Sequence, residues 1–175
     1  MINTKLNRVI RDIPDFPKEG IIFKDITPIM QDPELSREVV QAIVELNKDI
    51  KIDAVAGIES RGFLFGLALA MELDVPFVTV RKKGKLPYKT ISHTYDLEYG
   101  TATIEVHEDA IRPGMNVLIH DDLLATGGTA VAAAELMKKL GGHVAGFSFI
   151  IELSFLNGSK NLSPYSKNIT NLVAY

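Results

Sequence analysis

Apolar positions along this chain repeat in two rhythms, one helical and one alternating, and the changeovers between them mark its elements. Leu6, Val9, Ile10 and Ile13 recur at helical spacing from Asn3 to Ile13, where Pro14 stops the run. Pro14-Asp15-Phe16-Pro17 is a rigid link and Lys18-Glu19-Gly20 a turn; Ile21, Ile22 and Phe23 form a short extended piece ending in Lys24-Asp25. A helix is predicted from Pro33 to about Asp49, with Asp32 as N-cap, Pro33 in the first turn and Leu35, Val39, Ile43 and Leu46 on one buried stripe. Asp53 to Ile58 reads as the first core strand and ends in Glu59-Ser60-Arg61-Gly62. Phe63 to Glu72 is apolar nearly all round, which predicts a buried helix. Pro76 to Arg81 is a second strand. Between Lys82 and Tyr99 both rhythms fail: the stretch is polar and basic, with Gly84 and Pro87 inside it, the pattern of a functional or mobile loop. Thr101 to Val106 alternates like a strand, and with His107 is expected to pair back on that loop.

The second half carries the clearest punctuation. Val117, Leu118 and Ile119 have the composition of a buried parallel strand. Asp121 and Asp122 follow where that strand should end, Ala125 to Thr129 is a turn of small residues, and a helix begins at Ala130. Ala133, Leu136 and Leu140 lie on its inner face, and Gly141-Gly142 closes it. Val144 to Ile151 is another buried strand. A polar tail rich in Asn and Ser follows and finishes in a possible edge strand, Leu172 to Tyr175. Strands alternating with helices predict an α/β fold with a parallel sheet, its ligand site at the carboxyl ends of the strands.

Composition narrows the class. The chain has 175 residues, enough for one domain with a substantial core. Its longest apolar run, Gly62 to Leu73, is too short to span a bilayer, and the first residues are interrupted by Lys5, Arg8 and Arg11 rather than forming a signal segment. There is no cysteine, hence no disulfide framework or thiolate metal site. The four histidines show no ligand spacing, and a net charge of −3 argues against a general nucleic-acid binder. A cytoplasmic protein without nucleic-acid or membrane partners is expected.

Candidate chemistry concentrates in Val117 to Thr129, VLIHDDLLATGGT. A strand leading through a glycine-rich turn into a helix brings backbone N–H groups and the positive helix end to an anion. The hydroxyls of Thr126 and Thr129 add donors. No lysine follows the glycines, so this is not a Walker A loop, and no dinucleotide fingerprint is present. Adjacent carboxylates before a phosphate cradle suit a vicinal diol, which points to a phosphorylated ribose. Two further strand ends should share that rim. Ser60 and Arg61 sit on one, and Arg61 has the fork to grip a pyrophosphate bidentately. Arg81, Lys82, Lys83 and Lys85 form a basic cluster on the other. Glu98, where the long loop rejoins a strand, is a carboxylate able to stabilise a cationic transition state or to exchange a proton with a base.

At these residues the chain resembles the adenine phosphoribosyltransferases, a branch of the type I phosphoribosyltransferase family. DDLLATGGT matches the phosphoribosyl motif, and PDFPKEGIIFKDITP, ESRGFLFG, RKKGKLP and LEYG match in family order, from Ile13 to about Leu162. The resemblance implies a three-layer α/β parallel-sheet domain over residues 1–175, with a small N-terminal hood from about 1–35 and a mobile catalytic loop at 82–100. It implies transfer of the 5-phosphoribosyl group from phosphoribosyl pyrophosphate to adenine, giving AMP and pyrophosphate in purine salvage. Ala125, Thr126, Gly127, Gly128 and Thr129 would hold the 5′-phosphate, and Asp121 and Asp122 would face the ribose. Ser60, Arg61, Arg81, Lys82 and Lys85 would handle pyrophosphate, which carries Mg2+ without direct protein ligands. Glu98 would be the catalytic carboxylate. Adenine would lie between Phe23, with backbone of Ile22 and Lys24, and a far wall near Leu156. Family members are usually homodimers. Lys24 departs from a common Arg, which leaves a guanidinium contact there in doubt. Ala125 stands where relatives acting on hypoxanthine and guanine carry an acid, which argues against those bases. Xanthine transfer is the nearest rival reading. A sensor that keeps the site without catalysis is the more distant one, and no basic helix-turn-helix precedes the site to support it.

Overall fold

The computed structural model describes residues 1–96 and 100–175. In chain order the elements are α1 (Ile2–Val9), β1 (Arg11–Pro14), β2 (Ile22–Asp25), α2 (Thr27–Met30), α3 (Pro33–Leu46), β3 (Ala54–Ile58), α4 (Gly62–Glu72), β4 (Phe77–Lys82), β5 (Thr90–Asp96), β6 (Thr101–His107), β7 (Asn116–Leu124), α5 (Gly128–Lys139), β8 (His143–Glu152), a 3-10 turn (Ser154–Leu156), α6 (Gly158–Leu162) and β9 (Ile169–Ala174). Seven strands form one sheet in the order β5-β6-β4-β3-β7-β8-β9. β4, β3, β7, β8 and β9 run parallel, and β6 and β5 join antiparallel at one edge. The period of two along β3 splits the core into two layers. Ala54, Ala56 and Ile58 face α5 and α6, while Val55 faces the layer of α1, α3 and α4. The sheet is therefore covered by helices on both faces, three layers in all.

This topology fixes where a ligand can sit. From β3 the chain steps to β4 on one side and later crosses to β7 on the other, so β3 and β7 flank the point where strand order reverses. β1 and β2 form a separate antiparallel pair, the hood, and β2 has no second strand neighbour among the described residues.

Several expected boundaries move. The first helix stops at Val9 rather than Ile13, because Arg11–Pro14 pairs with Ile22–Asp25 and the residue before a proline avoids helical geometry. Leu6 and Ile10 belong to the core under β9, so the hood proper begins only after them. The third helix has its Asp32 cap as predicted, but Leu46 is 52% exposed and Val40 takes the inner place. α4 buries Phe65, Leu69 and Ala70, yet leaves Leu64, Leu67 and Met71 48%, 50% and 73% exposed. The stretch 82–100 is not one loop, since Thr90–Asp96 is a strand paired with Thr101–His107 along its whole length. β7 runs on to Leu124 because β8 pairs with it that far, so Asp121 and Asp122 lie within the strand. Pairing with β3 ends at His120, however, and their edge of the strand is open. The tail contains α6, whose Leu162 is fully buried.

Candidate active site

The turn from Ala125 to Thr129 is built as a wedge between β7 and α5. Gly127 takes a positive φ of 84°, which turns the chain sharply into α5, and Gly128 is the first residue of that helix. Behind the turn, a Cβ on Gly158 would come within 2.2 Å of the Ala125 carbonyl, so α6 is pressed directly against it. Asn161 Nδ2 donates to the Thr126 carbonyl at 2.9 Å. On the open side, the Thr129 hydroxyl meets Tyr95 Oη at 3.0 Å.

The strand end of β3 packs against this wedge from the side. A Cβ at Gly62 would meet the His120 carbonyl at 2.8 Å, which explains a glycine at the start of α4. Arg61 Nε stands 2.9 Å from Asp122 Oδ2, although no N–H points along that line, and the buried oxygen receives no aligned hydrogen bond. Burial, reinforced by the neighbouring Asp122 charge, pushes the Asp121 carboxyl well above the usual carboxylate range. Burial also raises Asp122, and Arg61 opposes that rise. The pair is a carboxylate-rich cleft wall short of positive charge.

Two acids organise the basic segment. Glu59 Oε1 accepts from Arg81 at 3.0 Å and Oε2 accepts from the Lys82 backbone at 3.0 Å. The Arg81 bond holds the Glu59 carboxyl below its ordinary range. Arg81 also donates to the Lys85 carbonyl at 3.1 Å, so its fork braces the turn. Glu105 on β6 is buried, and its Oε1 accepts the N–H groups of Gly84, Lys85 and Leu86 at 3.0, 3.1 and 3.0 Å. Burial pushes that carboxyl up, but the three amides outweigh it and hold it down. The result is a cleft of about 420 Å3 lined by Glu59, Ser60, Arg61, Lys82, Lys85, Asp121 and Asp122. It shares Glu59, Lys82 and Asp121 with a second cleft of about 520 Å3 that reaches Tyr95 and Thr129. A groove of about 570 Å3 between α3 and α4 lies away from this rim and is mainly apolar.

The hood leans over the same rim. The Arg61 guanidinium carbon lies 4.7 Å from the centre of the Phe23 ring, so one side chain spans from Phe23 to Asp122. Phe16 meets Phe23 edge to face at 5.1 Å. Lys24 Nζ pairs with Asp12 at 2.6 Å and covers the Tyr175 ring at 3.5 Å, which directs its ammonium away from the rim's anion site. Ile22 is exposed. Leu156 lies on the turn after β8, and Ser154 in that turn donates to the Tyr175 carbonyl at 2.8 Å. Hood and far wall therefore both adjoin Tyr175. Glu98 lies outside the described residues. Among the described residues, no three His, Asp or Glu side chains converge as a metal cage.

The structure thus gathers Ser60, Arg61, Lys82, Lys85, Asp121, Asp122 and Thr129 around adjoining clefts, with Phe23 reached through Arg61. Glu59, Tyr95, Glu105 and α6 are participants that sequence reasoning passed over. An alternation was present for Tyr95, since Ile91 and Tyr95 are the apolar members of Thr90–Asp96. Nothing in the sequence marks Glu105 apart from other strand carboxylates.

Comparison with known proteins bears on the same rim. Residues 26–170 match the phosphoribosyl transferase domain. The adenine phosphoribosyltransferase of Cytophaga hutchinsonii is 52% identical over 175 residues, covering 100% of this chain and 97% of that protein. The crystal structure of adenine phosphoribosyltransferase from Thermoanaerobacter pseudethanolicus superposes with a TM-score of 0.96 at 47% identity and covers 100% of both chains. That of the Saccharomyces cerevisiae enzyme, complexed with adenine and an imino-altritol bisphosphate, gives 0.90 at 41% identity over 98% of both chains. With a glycine-turn wedge, a carboxylate pair and a basic turn on one rim, and with likeness running the full length of the chain, the protein belongs to the adenine phosphoribosyltransferase family.

Proposed function

We propose that the rim between β3 and β7 carries out the family's reaction, transfer of the 5-phosphoribosyl group from phosphoribosyl pyrophosphate to adenine, with the residues above in the following roles. Ala125 to Thr129 hold the 5′-phosphate through turn amides, hydroxyls and the start of α5. Asp121 and Asp122 accept from the ribose hydroxyls. Arg61, Lys82 and Lys85 neutralise the departing pyrophosphate, with Ser60 donating beside them. Arg81 acts by bracing the turn, since its fork is committed to Glu59 and the Lys85 carbonyl. The anomeric carbon loses pyrophosphate through an oxocarbenium-like state, which Asp121, Asp122 and Glu98 stabilise by charge, and Glu98 exchanges the proton that the base sheds. Phe23 stacks on adenine, backbone groups of Ile22 and Lys24 read its edge, and Leu156 closes the far side. The yeast relative, crystallised with adenine, supports a base site in this fold.

The acidic wall fits a divalent cation arriving on pyrophosphate: the Asp121 carboxyl, raised by burial and by Asp122, would be relieved by positive charge in the adjoining cleft. Magnesium, a hard ion that keeps water and phosphate oxygens around it, would screen the leaving group's charge there. The apolar stripe Leu64, Leu67 and Met71 on α4 is the surface through which two copies pair as a homodimer. A cytoplasmic location goes with this reading, and no helix among the described residues is long and apolar enough to cross a membrane. The observation that carries the proposal is the carboxylate pair and the phosphate wedge on one strand-turn-helix, opening on the same clefts as Lys82. The test is product formation from phosphoribosyl pyrophosphate, magnesium and a panel of purine bases. AMP from adenine, with no nucleotide from hypoxanthine, guanine or xanthine, is the expected result; turnover of xanthine alone would overturn it.

A further inference from the structure

We propose that Tyr95 is a positioning residue for the 5′-phosphate, donating its hydroxyl proton to Thr129 so that the Thr129 proton is aimed into the cradle. The inference rests on the reading of Ala125 to Thr129 as the phosphate site. Tyr95 comes from β5, in the edge ribbon, not from the strand-turn-helix that forms the cradle. Its Oη is 3.0 Å from Thr129 Oγ1, and its ring packs against the core layer of α5. The edge of the ring lies 3.7 Å from where a Gly128 Cβ would stand, and Tyr95, Asp121 and Thr129 line one cleft. Each hydroxyl has one proton and two lone pairs, so either can donate while the cradle is empty of anion. A phosphate at the start of α5 accepts only. It draws the Thr129 proton toward itself, and Thr129 must then accept from Tyr95. Once the anion is bound, the chain Tyr95 to Thr129 to phosphate has one direction, and the packed phenol ring holds the oxygen that completes it. Without the phenol oxygen, the Thr129 hydroxyl rotates freely and must be ordered by the ligand.

The test compares Tyr95→Phe, Thr129→Val and the double variant. It measures Kd for AMP, KM for phosphoribosyl pyrophosphate, KM for adenine, and Tm. Phe retains the ring and removes only the oxygen. Expected is a rise of about three- to tenfold in the AMP Kd and the phosphoribosyl pyrophosphate KM of Tyr95→Phe, the range of one lost hydrogen bond, with adenine KM and Tm unchanged. Thr129→Val should rise at least as far, and the double variant should match Thr129→Val alone, since the tyrosine acts only through the threonine. If Thr129→Val weakens AMP and Tyr95→Phe does not, the proposal falls and the cradle stands. If neither weakens AMP, Thr129 does not reach the phosphate and the proposal falls, while the amide cradle stands or falls by Gly128→Val. A fully additive double variant, or equal losses for adenine with a lowered Tm, would show Tyr95 to be a packing group and overturn the proposal.

Discussion

At Asp121 the fold holds a carboxyl whose ionised form it disfavours. The carboxyl is raised in the folded state by burial and by Asp122, so its penalty is absent below the ordinary aspartate range and grows as pH rises through it toward the raised folded value. Above that window Asp121→Asn should raise the Tm of the ligand-free protein, by about 2–4 °C for each kcal/mol of relieved repulsion. The same variant should lower kcat/KM for phosphoribosyl pyrophosphate by about ten- to hundredfold, the cost of losing a charged hydrogen bond to the ribose. A Tm that falls above that window would show that Asp121 is held by partners the fold supplies. Glu98 supports a second prediction at this scale. Gln retains its shape but cannot ionise or transfer a proton, so Glu98→Gln should reduce kcat by about 10²–10⁴-fold with adenine binding intact. The comparison requires single-turnover rates, because slow AMP release hides a chemical defect. A single-turnover rate within a factor of about two of wild type would remove Glu98 from the chemistry.

Among the elements, the wedge of β7, turn and α5 is the one most tightly specified. A Cβ at Gly128 meets nothing closer than the Tyr95 ring at 3.7 Å, so the fold has room there for a single methyl, and the loss from that methyl falls on the ligand. Gly128→Val should weaken both AMP and phosphoribosyl pyrophosphate by tenfold or more, on the order of one charged hydrogen bond, and Gly128→Ala should weaken them with Tm near that of wild type. Normal AMP affinity in the valine variant would place the phosphate elsewhere. This wedge was legible in the sequence because its parts are contiguous: strand, two acids, small-residue turn, helix. The cap at Asp32 and the helix closed at Gly141 were legible for the same local reason. What was not legible depended on partners far along the chain. Arg11–Pro14 leaves its helix because residues 22–25 pair with it, and the extent of β7 is set by β8. Thr90–Asp96 reads as loop until β6 supplies the ladder, and only then does the alternation of Ile91 and Tyr95 acquire meaning. Glu105 had no local mark at all, since its role is defined by three amides some twenty residues away.

On the scale of the whole molecule, α4 faces two ways. Phe65 and Leu69 join the core while Leu64, Leu67 and Met71 form an outward apolar stripe beside the groove with α3. If two copies pair through it, Leu67→Asp should convert a dimer to a monomer in sedimentation without unfolding it, because the substituted side chain is half exposed in the single chain. An unchanged sedimentation coefficient would assign the contact to another face. Arg61, shared between Asp122 and Phe23, has a consequence for the order of events. Adenine stacking on that face of Phe23 must first dislodge a cation–π contact worth roughly 0.5–1 kcal/mol. In the proposed roles, a pyrophosphate-bearing sugar would draw the same guanidinium toward itself and clear the ring. The two substrates are thereby cooperative through a single side chain: each should bind about two- to fivefold more tightly when the other is present, and by the same factor in either direction. A shared arginine thus favours the ternary complex without fixing which substrate must enter first.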